Sequence, residues 1–112
     1  MNLFIGIGYI TNISELKKSQ ANTYYVSATL WTNNIGIEKE QKDLMVMFQA
    51  FDELGLELDK TRNTINPGDR YIVLGFAKID VKFKGITVQR IIKVNNESDI
   101  DSFFKTEFWK ML

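Results

Sequence analysis

The sequence has no cysteine, no histidine and a single proline in 112 residues. Without cysteine, disulfides and thiolate zinc sites are excluded. Without histidine, so are a Ser-His triad, a His-ligated metal and imidazole acid–base catalysis. No apolar stretch approaches the ~20 residues that a membrane-spanning helix needs. The opening MNLFIGIGYI lacks the basic lead and small-residue cleavage pattern of a secretory signal, so a cytoplasmic location is expected. Net charge is missing too: 14 basic residues balance 14 acidic ones, which taken alone argues against a nucleic-acid partner. There is no nucleophile–base pair, no Gly-rich phosphate loop and no metal-ligand cluster. Enzyme activity, a cofactor and a small-molecule substrate are therefore not expected.

What is present is a chain of one-domain size, 45% hydrophobic and 12% aromatic. Its charge is unevenly placed. Residues 70–93 carry Arg70, Lys78, Lys82, Lys84, Arg90 and Lys93 against Asp80 alone. Residues 52–69 carry Asp52, Glu53, Glu57, Asp59 and Asp69 against Lys60 and Arg62. A neutral chain can thus present a basic face.

Periodicity predicts the elements. LFIGIGYI (3–10) is rich in β-branched and aromatic residues and reads as a strand. Residues 12–22 are polar and read as a loop or short helical turn, and residues 33–41 as an exposed connection. Between them, residues 23–33 form a second strand with strict alternation. Val26, Ala28 and Leu30 fall on one side, and Tyr25, Ser27, Thr29 and Trp31 on the other. KDLMVMFQAF (42–51) is a nearly continuous apolar run, predicted to be a strand covered on both faces. DELGLELDK (52–60) predicts a helix, with Asp52 as N-cap and acids at its positive end. NPGD (66–69) is a turn, 70–83 a long strand, Lys84–Gly85 a hairpin turn, and 86–94 its returning partner. After a polar linker, Phe104, Phe108 and Leu112 recur every four residues and predict a short helix, either docked on the domain or forming a dimer.

Five strands with a helix between the third and fourth is the plan of an all-β OB-fold barrel. It is expected over residues 1–95, with 96–112 a linker and a short C-terminal apolar segment.

The chain resembles the bacterial single-stranded DNA-binding protein family over roughly residues 2–94. The resemblance is carried by NLFIGIGYITNISEL, with Asn2, Gly8, Thr11, Glu15 and Leu16 in matching places, and by VSATLWTN around Thr29 and Leu30. MVMFQAFDE and NPGDRYIVLGFAKIDVKFKG continue it. It implies an OB-fold, non-catalytic binding of single-stranded DNA in replication, recombination or repair, and a homo-oligomer, dimeric or tetrameric. It also implies that Phe48 sits where a ring contacts DNA. Relatives usually end in a long tail with an acidic tip that recruits partners. Here ESDIDSFF is followed by Lys105–Leu112, so a short phage, plasmid or mobile-element version lacking that tail is expected.

A sequence-tolerant binder of unpaired strands needs flat rings for bases and cations for phosphates. Strand parity, with the family's placement of Phe48, nominates Tyr9, Tyr25, Trp31, Phe48 and Phe76 as the rings. Lys78 and Lys82 flank them on the strand of Phe76, and Lys17, Lys18 and Lys84 lie on loops at the edges. The carboxylates at 52, 53, 57 and 59 read as a solvated helix face, since their spacing does not reproduce a calcium loop. Two other readings remain open. One is a protein-interaction or oligomerisation module that kept the barrel without nucleic-acid binding. The other is an RNA-binding OB protein, since rings and cations do not by themselves tell ribose from deoxyribose.

Overall fold

The computed structural model describes residues 3–32, 44–66, 68–79 and 83–110. In chain order these form β1 (Leu3–Thr11), β2 (Lys17–Lys18), β3 (Tyr24–Thr32), β4 (Leu44–Phe51), α1 (Asp52–Thr61), β5 (Arg70–Ile79) and β6 (Lys84–Val94). A helical segment follows, made of α2 (Glu97–Ser102), a π-helical turn (Phe103–Glu107) and α3 (Phe108–Lys110). The sheet runs β1-β5-β6-β4-β3, and β3 pairs back onto β1, so five strands close a barrel. β4 and β6 pair in parallel; the other pairings are antiparallel. The two-residue β2 lies along β3 outside the barrel. α1 falls between the third and fourth barrel strands, as the OB plan requires.

The barrel interior is filled by alternate residues. Val26, Ala28 and Leu30 of β3 meet Phe48 and Ala50 of β4, Val73 of β5, and Ile86 and Val88 of β6, with Leu58 of α1 packed into the same cluster. A second apolar layer lies outside. Leu3, Ile5 and Ile7, Ile72 and Leu74, and Ile92 and Val94 point away from the barrel centre and are covered by Ile100, Phe103 and Phe108. The C-terminal segment is thus a helix docked on this barrel. Burying a ring such as Phe103 is worth roughly 1.5–3 kcal/mol.

The spacing that docks this helix differs from the expected one. The rings packed against the strands are Phe103 and Phe108, five residues apart. A π-turn hydrogen-bonds i to i+5 and so brings positions five apart onto one side, where an α-helix would have chosen four. Phe104 and Trp109 are left exposed, and Leu112 lies outside the described residues.

Four further expectations are revised. β4 is not covered on both faces: Phe48 and Ala50 are buried, but Leu44, Met45 and Met47 are exposed. Gly85 is not a turn residue; it pairs with Lys78 inside β6, where a Cβ would lie 2.3 Å from the Met47 carbonyl oxygen. Lys17 and Lys18 belong to a strand, because their backbone pairs with Tyr25 and Tyr24. The N-cap of α1 is Phe51, with Asp52 and Glu53 in the first turn. The expected connection 33–41 lies outside the described residues.

Candidate nucleic-acid interface

The alternation of β3 carries directly into space. With Val26, Ala28 and Leu30 inside, Tyr25, Ser27, Thr29 and Trp31 lie on the outer side, Thr29 buried and the other three at least partly open. Antiparallel register sets Phe51, Gln49, Met47 and Met45 of β4 beside them in that order. The resulting outer face has no charged residue along its centre and rings at both ends. Tyr25 and Trp31 are six positions apart on one strand, roughly 20 Å at ~3.4 Å per residue.

At one end Tyr9 of β1 is the register partner of Trp31, with ring centroids 6.3 Å apart and planes tilted by 59°. Gly8 makes this approach of β1 to β3 feasible: a Cβ there would lie 2.2 Å from the Trp31 carbonyl oxygen. Trp31 remains 40% exposed, so its indole has a free surface. Asn66, Gly68 and Asp69, from the turn before β5, border the same depression. Across β1 from Trp31, Tyr9 pairs with Arg70 of β5. The Arg70 guanidinium donates to the Glu97 carboxylate of α2 at 2.5 Å.

At the other end Tyr25 and Phe51 sit with centroids 5.7 Å apart and planes 34° from parallel. Lys78 Nζ lies 5.8 Å from the Phe51 centroid, and Lys18 Nζ lies 5.6 Å from that of Tyr24. Such distances put each ammonium within cation–π reach of a ring. Lys18, Tyr25, Gln49, Phe51, Lys78 and Phe83 line one concavity of about 590 Å³. Flat rings offer stacking to any base, amides offer hydrogen bonds, and ammonium groups offer charge to phosphate.

The structure therefore brings together most, but not all, of the expected residues. Tyr9 joins Trp31 at one end; Lys18, Tyr25 and Lys78 join at the other, with Lys17 paired beside Tyr25. Lys84 is exposed at the start of β6 and pairs with Ile79. Phe76 faces outward two strands from Gln49, in the row Phe76, Thr87, Gln49, Ser27, and does not line the Tyr25–Phe51 concavity. Lys82 lies outside the described residues. Phe48 is a correction. It is 1% exposed, pairs with Ala28 and fills the barrel core, so no base can stack on it.

The residues missed are Phe51 and Phe83, with Gln49 lining the same concavity. Phe51 shares the parity of Met45, Met47 and Gln49 and sits three residues from Phe48, on the opposite face. A signal for it existed in the polar Gln49: on a half-buried strand the polar position marks the wet side, and Phe51 is in step with it.

No protein-family model matches the sequence, and no curated protein matches it. Solved structures do. The protein PriB from Ralstonia solanacearum superposes with a TM-score of 0.66 at 12% identity, covering 84% of this chain and 99% of that one. The wild-type single-stranded DNA binding protein from Thermus aquaticus superposes with a TM-score of 0.65 at 20% identity. That match covers 86% of this chain and 41% of the other, so the present chain spans less than half its length. Likeness at such identities is a likeness of fold, and together with the closed five-stranded barrel and its α1 it shows that this chain is an OB-fold protein of the same architecture as those two.

Proposed function

We propose that this protein binds single-stranded DNA without catalysis and without strong sequence preference. Bases stack on Tyr9 and Trp31 at one end of the outer β3–β4 face and on Tyr25, Phe51 and Phe83 at the other. Lys17, Lys18, Lys78 and Lys84 meet the phosphates. The observation that carries this reading is the outward strip itself: rings at both ends, an uncharged centre, and cations at the margin of the Tyr25 end. Sequence tolerance follows because every base has a π-face. The likeness in fold to the Thermus aquaticus protein, whose name states that ligand, supports the same reading. A role in replication, recombination or repair, a cytoplasmic location and assembly into dimers or tetramers belong to this proposal. Among the described residues no helix is long and apolar enough to cross a membrane.

The test is a titration with an unstructured oligodeoxynucleotide at low salt, in a Trp109→Phe variant that leaves Trp31 as the only indole. Quenching of Trp31 with a mobility shift is expected; the absence of both refutes the proposal. The same titration with an oligoribonucleotide tells RNA preference from DNA preference. One observation favours a second reading, a protein-interaction surface: Met47 is exposed in the centre of the strip and Met45 beside Trp31 at one end. Under that reading Trp31→Ala with Phe51→Ala breaks an assembly; under the first it abolishes DNA binding and leaves the solution mass unchanged.

A further inference from the structure

The two ends of the strip are built alike. Across β2, β3 and β4 the outward row reads Lys17, Tyr25, Phe51. Across β5, β1, β3 and β4 it reads Arg70, Tyr9, Trp31, Met45. Each row sets a cation beside two rings. They differ in what the cation touches. Among the described residues, Lys17 and Lys18 have no carboxylate within ion-pair distance, whereas Arg70 is held by Glu97.

That ion pair is not required to place Glu97. The start of α2 is fixed by its own capping box. The Asn96 side chain accepts a backbone N–H of the first turn, and the Asp99 carboxylate accepts the backbone N–H groups of Asn95 and Asn96 at 2.8 and 3.1 Å. Ile100 and Phe103 then anchor the segment in the apolar layer over β1, β5 and β6. Nor does the pair secure the fold. The Glu97 side chain is 79% exposed and that of Arg70 34%, and ion pairs this open to water contribute little to stability. The guanidinium is therefore free to exchange Glu97 for a better partner at small cost. A phosphate is such a partner, because its oxygens match the planar donor fork and its binding releases counterions.

We propose that Arg70 is a phosphate-contacting residue of the Tyr9–Trp31 end, and that Glu97 is a built-in carboxylate competitor for it. The C-terminal helix then sets how tightly that end grips an unpaired strand. This rests on the single-stranded DNA reading given above.

The experiment uses the full chain and an oligothymidylate, titrated at several salt concentrations, for wild type, Glu97→Gln, Arg70→Gln and the double variant. Glu97→Gln is expected to tighten binding about two- to fivefold. It is also expected to steepen the log–log salt slope by about 0.7, one phosphate contact on a single strand. Arg70→Gln weakens binding, and Glu97→Gln has no further effect in its presence. Unchanged affinity and slope in Glu97→Gln, with wild type binding normally, overturn this inference alone. So does an equal effect of Glu97→Gln with and without Arg70, which would mark a general loss of negative charge. Failure of the wild type to bind removes the underlying DNA reading together with it. Melting temperatures of all four proteins are measured alongside, and the inference requires that Glu97→Gln melts within a few degrees of wild type.

Discussion

Truncating Phe48 and Phe51 to alanine, one at a time, separates stability from binding. The two rings are three residues apart on β4 and face opposite ways. Phe48 is 1% exposed, against Ala28 on one side and Ile86 on the other, so Phe48→Ala leaves a cavity that the closed barrel cannot collapse. Phe→Ala in such a site costs about 3–5 kcal/mol. Domains of this size have roughly 5–15 kcal/mol in hand, and ~1 kcal/mol moves the melting temperature by about 4 °C. A drop of roughly 12–20 °C is therefore expected, with affinity for single-stranded DNA kept in whatever fraction remains folded. Phe48→Leu, which retains most of the volume, supplies a milder form of the same effect should the alanine variant not fold. Phe51→Ala loses a partly exposed ring and its tilted contact with the Tyr25 ring, about 1 kcal/mol of stability. It also removes a stacking surface worth ~1–3 kcal/mol per base, a weakening of about 5- to 150-fold. Urea or thermal unfolding reads the first quantity and oligonucleotide titration the second. If Phe51→Ala bound DNA as well as wild type while Phe48→Ala melted normally, the parity assigned to β4, and with it the proposed interface, would be wrong.

Other expectations follow from the same geometry. Four lysines near the strip, Lys17, Lys18, Lys78 and Lys84, at −0.7 per phosphate contact, set a log–log salt slope of about −2 to −3 for wild type; a slope near zero would mean the phosphates are not engaged. Gly8→Ala forces β1 away from Trp31, because the new methyl would sit 2.2 Å from a carbonyl oxygen; lower thermal stability and weaker quenching of Trp31 are expected together. The hydrogen bond and charge of Arg90 hold the Glu107 carboxyl below its ordinary value of 4.5. A depressed folded-state pKa gives stability that is present above the unfolded value and lost as pH falls through the folded one. Acidification below about 4.5 should therefore loosen the π-turn. Trp109 emission in a Trp31→Phe background reads that change, and Glu107→Gln should diminish it, the Asp99 cap of the same segment being unaffected by that substitution.

How much of this was legible in advance differs from strand to strand. β3 alternates in sequence because one of its faces is dry, and residues 25–31 show that pattern, although Thr29 on the other face is buried as well. β4 offers Leu44, Met45, Val46, Met47 and Phe48 in succession, so hydrophobicity cannot assign a face there. Its faces are settled by pairing, since Phe48 opposite Ala28 must share the side of Ala28. β5 reads as continuous apolar sequence for a different reason: its outer face lies beneath the C-terminal helix. Phe83 gave no periodic signal, because it lies just before β6 and reaches the Tyr25–Phe51 concavity only through the fold.

The sequence by itself determined the order of the five barrel strands and α1, the dry side of β3, the aromatic outer positions Tyr25 and Trp31, and the absence of thiol and imidazole chemistry. Each of these follows from local composition and a period of two or of about four. Tertiary structure alone decided the closure of β3 onto β1, the pairing that puts Phe48 against Ala28, the five-residue step from Phe103 to Phe108, and the pairing of Arg70 with Glu97. These depend on which residues far apart in the chain come to lie side by side. That is a property of register and packing, and no local pattern encodes it.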